Sequence, residues 1–141
     1  MRYKINYEKH PILKVNFEGS ICLMNAIIDT GCRDNYVFRE RFILNNDSFF
    51  KHTGDSVKGI AAGGQHVDAP EIIHSIRIGK YKFDLRFGLW ANGSFKDVDV
   101  ILGTKFLNEN KLSFYLCGDN FILRKASSLD YFLCRVGRLY N

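Results

Sequence analysis

The sequence has no apolar run near the roughly 20 residues that a membrane-spanning helix needs. Its N-terminal segment carries charged residues in place of the apolar core of a secretory signal. We therefore expect no membrane association and a cytoplasmic location. Only two prolines occur among the 141 residues, and no glycine- or serine-rich linker divides them. Because 46% of the residues are hydrophobic and 14% are aromatic, the composition excludes a disordered chain and predicts a globular domain.

The basic charge of the chain is not clustered. The net charge is +5 at neutral pH, which is compatible in principle with nucleic-acid binding. Basic and acidic residues are interspersed from Arg33 to Lys58, however, and no run of about five like charges occurs. The sequence therefore favours a mildly basic, solvated surface, and we expect no nucleic-acid partner.

The four cysteines lack the spacing of a metal site. None forms a C-x-x-C pair, and no histidine lies at zinc-ligand spacing from a cysteine. We therefore expect no metal and no cofactor. Cys22 and Cys117 lie in apolar runs, which predicts that they are small buried side chains. A nucleophilic Cys32 with a histidine base is chemically conceivable, but no local signature of a cysteine protease accompanies it.

Hydrophobic residues recur mainly with a period of two, which predicts short β-strands. Turn signals at Gly19, Gly79-Lys80 and Gly118-Asp119 separate the strands into hairpins. The sequence therefore belongs to the mainly β class. The predicted strands cover residues 12–17, 21–28, 72–78, 81–87, 98–102, 111–116 and 120–123.

Two helices are predicted near the end of the chain. Thr104 can cap a short helix over residues 105–110, and Ser127 or Ser128 can cap a second one. We divide the chain into a domain over residues 1–125 and a C-terminal amphipathic helix over 126–141, which packs on the domain or at a dimer interface. The apolar stripe of this helix comprises Leu129, Phe132, Leu133, Val136 and Tyr140.

Three segments have the composition of a functional site. Asp29-Thr30-Gly31 follows an apolar strand, where a carboxylate is costly to ionise without compensation. Residues 58–65 form a glycine-rich segment with strand-like flanks, which suits a mobile hairpin. Residues 97–103 carry an apolar strand to Gly103, directly before the short helix. Each segment alone is common, because aspartate and glycine often end strands at turns.

In this order the three segments resemble the retropepsin family, the dimeric single-domain aspartic proteases. The resemblance spans residues 11–123 and implies a closed β barrel-like domain with a flap hairpin and a short helix after Ile-Leu-Gly. The C-terminal helix predicted from the apolar stripe is additional to this family pattern. The resemblance implies that Asp29 is the catalytic carboxylate, that Thr30 bonds across the dimer axis and that Gly31 holds the loop. It also assigns a substrate-binding role to the flap tip and to the residues that support the catalytic loop. These residues are Gly59, Ile60, Ala61, Ala62, Gly63, Gly64, Leu102 and Gly103.

The resemblance predicts a homodimeric aspartic endopeptidase acting on peptide or protein substrates. Two neighbouring carboxylates share a proton, so that one serves as the base and the other as the acid. The chain holds a single Asp-Thr-Gly, so this chemistry requires two copies. The alternative is a non-catalytic, dimeric peptide- or protein-binding module of the same fold. The chain departs from the family pattern at Cys32, at Ala61-Ala62 in the flap and in its tail beyond Leu123, which leaves the mode of dimerisation open.

Overall fold

The computed structural model describes residues 2–4, 12–42, 49–61, 64–91, 97–130 and 132. Within these ranges the chain forms ten strands, a 3-10 helix at Arg39–Phe42 and an α-helix, α1, at Thr104–Glu109. The strands are β1 Arg2–Lys4, β2 Leu13–Phe17, β3 Leu23–Ile28, β4 Tyr36–Phe38, β5 Lys51–Ile60, β6 His66–Ile78, β7 Tyr81–Trp90, β8 Val100–Leu102, β9 Leu112–Cys117 and β10 Asn120–Lys125.

Six strands close into a barrel in the order β2-β3-β8-β4-β7-β6, and β6 pairs again with β2. The β3–β8 and β4–β7 pairs are parallel, whereas the other four pairs are antiparallel. In the β3–β8 pair, Ile28 lies opposite Leu102. The two chain segments that leave these strands, at Asp29 and at Gly103, are therefore neighbours. The closed, mainly β fold predicted from the sequence is confirmed.

Alternating side chains explain why these segments form the barrel wall. In β2, Leu13, Val15 and Phe17 are fully buried, whereas the intervening Lys14 is exposed. In β7, buried Phe83, Leu85 and Phe87 alternate with exposed charged residues. One face of each strand therefore fills the barrel and the other faces solvent, which is the arrangement that a period of two encodes.

A long hairpin extends from the barrel and forms the expected flap. Its first strand is β5 and its second is the N-terminal half of β6, which continues into the barrel wall and pairs there with β2 and β7. Register shifts between His52 and Ser56 interrupt the β5–β6 pairing. This irregularity lies at the base of the hairpin, where a β-bulge bends and twists a strand.

A second sheet, in the order β1-β10-β9, packs beside the barrel. Phe121 and Leu123 of β10 are buried in the same core as the barrel side chains. Beyond β10, residues 128–130 and 132 are helical, and the hydroxyl of Ser127 accepts a hydrogen bond from the N–H of Asp130 at 3.2 Å. The predicted cap at Ser127 is thus confirmed.

Most of the predicted C-terminal helix, including Leu133, Val136 and Tyr140, lies outside the described residues. Of its apolar stripe, Leu129 and Phe132 are described, and each is 60% exposed. The placement of residues 126–141 on the domain or at a dimer interface stays a prediction.

Two local predictions were wrong. Gly103, not Thr104, occupies the N-cap position of α1, and no side chain caps this helix. The helix begins one residue earlier than predicted, so Thr104 is its first residue, and the N–H of Thr104 bonds to the carbonyl of Cys32 at 2.8 Å. Cys22, predicted to be buried, is exposed, because it lies in the connection that precedes β3 and its N–H bonds to Ser20 Oγ.

Candidate active site

The loop that carries Asp29 is fixed by backbone hydrogen bonds. Asp29 follows the last residue of β3, and its N–H donates to the carbonyl of Leu102 in β8 at 3.0 Å. The carbonyl of Asp29 accepts a bond from the N–H of Cys32 at 3.1 Å, which closes a tight turn. The Gly31 N–H donates to Asp29 Oδ1 at 2.9 Å. The carboxylate is therefore oriented by its own loop, and Asp29, Thr30 and Gly31 are exposed in the single chain.

The junction between β8 and α1 supports this loop from the interior. The first N–H groups of α1 have no partners within the helix, and here Thr104 donates to the carbonyl of Cys32 and Lys105 to that of Arg33, at 2.8 and 2.9 Å. Gly103 is packed so closely that a Cβ there would meet the backbone of Arg33, its carbonyl oxygen at 2.5 Å, and that of Asp34. A glycine is therefore required at this position.

Leu102 and Gly103 are both buried. They lie beside the loop of Asp29, as the resemblance implied. The Leu102 carbonyl accepts a hydrogen bond from the Asp29 N–H. A substrate-binding role for Leu102 and Gly103 stays a prediction.

Asn35 is the buried polar residue in the described part of the chain, with 3% of its surface exposed. Its Oδ1 accepts a bond from the Gly103 N–H at 3.0 Å, and its Nδ2 donates to the Arg86 carbonyl at 3.1 Å. Its own carbonyl accepts a bond from the Gly88 N–H at 2.8 Å. Asparagine and aspartate side chains commonly bond to backbone groups near turns, and Asn35 does so here with Gly103 and Arg86.

Burial and neighbouring charges raise the pKa values of two groups next to the loop, the Cys32 thiol and the Tyr36 hydroxyl. Burial, and then the neighbouring carboxylate of Asp29, raise the pKa of the Cys32 thiol. Its Sγ lies 3.2 Å from the carbonyl oxygen of Asp34, to which the thiol donates. Burial also raises the pKa of Tyr36 to about 12. Both groups are therefore neutral at physiological pH, so they do not add charge next to Asp29.

The flap hairpin packs on the same side of the barrel as this loop. Val57, Val67 and Ala69 of the hairpin form a small apolar cluster with Tyr36 and Ile101. Tyr36 was not singled out from the sequence, because an aromatic residue in a short buried strand has no distinguishing pattern. Its contact with the flap can be recognised only from the folded structure.

The tip of the flap is partly described. Gly59, Ile60, Ala61 and Gly64 are described, whereas Ala62 and Gly63 lie outside the described residues. The Ala61 N–H donates to the carbonyl of Gln65 at 2.7 Å, and the Gly64 N–H donates to that of Ala61 at 3.0 Å. Gly64 has a φ of 83°, a conformation that glycine adopts without strain. Ile60 is 70% exposed, so an apolar side chain is available near the tip.

Among the described residues, no group of three or more His, Cys, Asp or Glu side chains could hold a metal ion. In the same part of the chain, no helix has the length and apolar character needed to cross a membrane.

Solved structures that resemble this chain include two proteases and a protease-like domain. A retropepsin-like aspartic protease from Rickettsia conorii has a TM-score of 0.62 and 22% identity, with 89% of each chain covered. EIAV protease, solved with the inhibitor HBY-793, has a TM-score of 0.57 and 17% identity over 74% of this chain and 90% of its own. The retroviral protease-like domain of Ddi1 from Leishmania major has a TM-score of 0.50 and 11% identity, covering 83% of this chain and 95% of that one.

No family model and no curated protein matches the sequence. The structural likeness nevertheless defines the class of fold: the chain has the retropepsin-like fold, as the three sequence segments predicted.

Proposed function

We propose that the protein is an aspartic endopeptidase that acts as a homodimer on extended peptide segments. The observation that carries the proposal is the position of Asp29: it is exposed at the end of β3, held by the Leu102 carbonyl, in a retropepsin-like fold with a flap hairpin. The sequence contains one Asp-Thr-Gly, so each chain supplies half of the catalytic pair. A cytoplasmic location stays a prediction.

The proposed chemistry uses the two Asp29 carboxyl groups of a dimer. Two carboxylates in close proximity cannot both ionise cheaply, so the pair holds one proton. The ionised group takes a proton from a water molecule as the water oxygen attacks the peptide carbonyl carbon, and the protonated group donates to the carbonyl oxygen. The resulting tetrahedral diol breaks at its C–N bond as the nitrogen is protonated, which gives a carboxylate and an amine product.

In this proposal the other site residues have supporting roles. Thr30 bonds across the dimer axis, and Gly31 holds the Asp29 carboxylate through its N–H. The flap residues 59–64 cover a peptide bound as an extended strand, whose backbone can bond to strand edges while alternate side chains enter pockets.

The deciding experiment compares wild type with Asp29→Asn against a peptide library. We expect Asp29→Asn to abolish cleavage while leaving the circular dichroism spectrum and the solution mass unchanged. Asp84→Asn is the matched control, because it makes the same change on the outer face of β7, where the carboxylate bonds to Ser75 Oγ. Loss of activity in both variants, or in neither, would reject the assignment of Asp29.

Sedimentation equilibrium tests the requirement for two copies. A dimer is expected at the concentrations at which cleavage is observed. A dimer that binds peptides without cleaving them would replace the protease by the non-catalytic binding module, and a strict monomer would reject the shared Asp29 pair.

A further inference from the structure

The Leu102–Gly103 peptide unit connects Asp29 to a side chain that lies elsewhere in the sequence. The carbonyl oxygen of this unit accepts the bond from the Asp29 N–H at 3.0 Å. Its N–H, which points in the opposite direction within the same peptide plane, donates to Asn35 Oδ1 at 3.0 Å. Because a peptide unit is rigid and planar, the orientation that Asn35 imposes on the N–H also fixes the direction of the carbonyl that holds Asp29.

Asn35 is itself anchored at two points on β7. Its Nδ2 donates to the Arg86 carbonyl at 3.1 Å and its backbone carbonyl accepts from Gly88 N–H at 2.8 Å. Both β7 residues lie inside a paired strand, where Arg86 is opposite Ile73 and Gly88 is opposite Glu71. The Asn35 side chain therefore holds the Leu102–Gly103 peptide in a fixed position relative to the barrel wall rather than relative to a loop.

The amide group is suited to this task for a chemical reason. It offers an acceptor oxygen and donor hydrogens on one planar group, and the site uses one of each. A leucine of similar size would leave the Gly103 N–H and the Arg86 carbonyl without a side-chain partner in a buried environment, which is unfavourable for both groups. A threonine side chain is shorter and carries a single hydroxyl, so it could contact both groups only through one oxygen atom.

We propose that Asn35 is the positioning residue for Asp29, acting through the Leu102–Gly103 peptide. The inference rests on the proposed catalytic role of Asp29 and adds a residue to which the resemblance assigned no role. Catalysis depends on the position of the reacting group at a scale of about 1 Å, and misplacement of that size costs about a hundredfold in rate. In the same proposal the flap binds the peptide, whereas the hydrogen bonds of Asn35 go to Gly103, Arg86 and Gly88, outside the flap, so peptide binding should change little.

The test measures kcat and KM of wild type, Asn35→Leu and Asn35→Thr on a peptide that the wild type cleaves. We expect Asn35→Leu to lower kcat about a hundredfold and to change KM less than about threefold. The kcat of Asn35→Thr should lie between the kcat of wild type and that of Asn35→Leu. The control is Asn16→Ala, which removes a side-chain bond to the Ser20 carbonyl at the opposite end of β3 and should leave kcat unchanged. A folded Asn35→Leu with wild-type kcat would overturn the proposal.

Amide hydrogen exchange gives a second readout that does not depend on activity. Exchange at the Asp29 and Gly103 N–H groups should rise by about tenfold or more in Asn35→Thr but not in Asn16→Ala, because local opening follows the loss of the local bonds. This measurement applies even if Asn35→Leu does not fold. If the wild type cleaves no peptide, the endopeptidase proposal fails while exchange still decides the positioning role. Unchanged exchange at both amides would refute that role.

Discussion

The hydroxyl of Tyr36 lies 2.7 Å from the position that a Cβ on Gly59 would occupy. Tyr36 belongs to the short strand β4 in the barrel wall, whereas Gly59 belongs to the flap strand β5. A Cβ on Gly88 would lie 2.8 Å from two ring carbons of the same tyrosine. The side chain of Tyr36 is thus packed closely against two glycines, and the flap can approach the barrel at this point only because residue 59 has no side chain.

This contact makes Gly59→Ala a disruptive change. The added methyl group has to displace a buried ring that cannot move towards Gly88, so we expect the free energy of unfolding to fall by about 1–3 kcal/mol. Tyr36→Phe should relieve the clash, since the next ring atom, Cζ, is 3.7 Å from that Cβ position. Urea unfolding of both single variants and the double variant measures the coupling. If the double variant is no more stable than Gly59→Ala, the contact does not limit the flap.

Gly103→Ala is expected to be more severe, because its Cβ would overlap backbone atoms of Arg33 and Asp34. Those atoms cannot rotate away like a side chain, so the loop of Asp29 or the start of α1 has to shift, at a cost of about 3 kcal/mol or more. The comparison is Gly118→Ala, at a position with open space and a φ of 58°. It should cost only about 1–2 kcal/mol, the strain of a left-handed residue. Equal losses in urea unfolding would contradict this interpretation.

The sequence predicted the hairpins well because their period of two is a local property. Strands β2, β6, β7 and β10 alternate buried with less buried residues, and turn residues separate them. Strand β4 was missed for the opposite reason: Tyr36, Val37 and Phe38 are all buried, so nothing alternates. A strand covered on both faces has no periodic signal to distinguish it from other apolar segments.

The residues of the candidate site also differ in how far the sequence alone could identify them. Asp29 and Gly103 stand in recognisable local motifs, so the sequence alone could nominate them. The partners of Asn35 could not be found locally, because Arg86 is 51 residues and Gly103 68 residues away along the chain. Their meeting depends on the order of strands in the closed barrel, which no single segment encodes.

The start of the C-terminal helix should depend on pH through Asp130. Hydrogen bonds from the Ser127 N–H and hydroxyl, and the nearby Arg124, lower the pKa of this carboxyl. A pKa that is lower in the folded chain means that the stabilisation is present above the ordinary pKa of about 4 and is lost as the pH falls through the folded value. Asp130→Asn should therefore be less stable than wild type at about pH 6, and this difference should shrink progressively as the pH falls below about 4. A difference in urea midpoint that does not change with pH would rule out this ionic contribution.

Cys32 should react slowly with alkylating agents, although it lies beside the loop of Asp29. Burial and the Asp29 carboxylate raise its pKa, so the reactive thiolate is scarce at neutral pH, whereas Cys22 is exposed. With iodoacetamide at about pH 7.5, the peptide that contains Cys22 should be alkylated well before the one that contains Cys32. Asp29→Asn removes the neighbouring negative charge and should increase the rate at Cys32 without affecting Cys22. Peptide mapping by mass spectrometry follows both sites in one sample, with Cys22 as the internal control. Faster alkylation at Cys32 than at Cys22 would contradict this interpretation and would mean that the Cys32 thiol is activated.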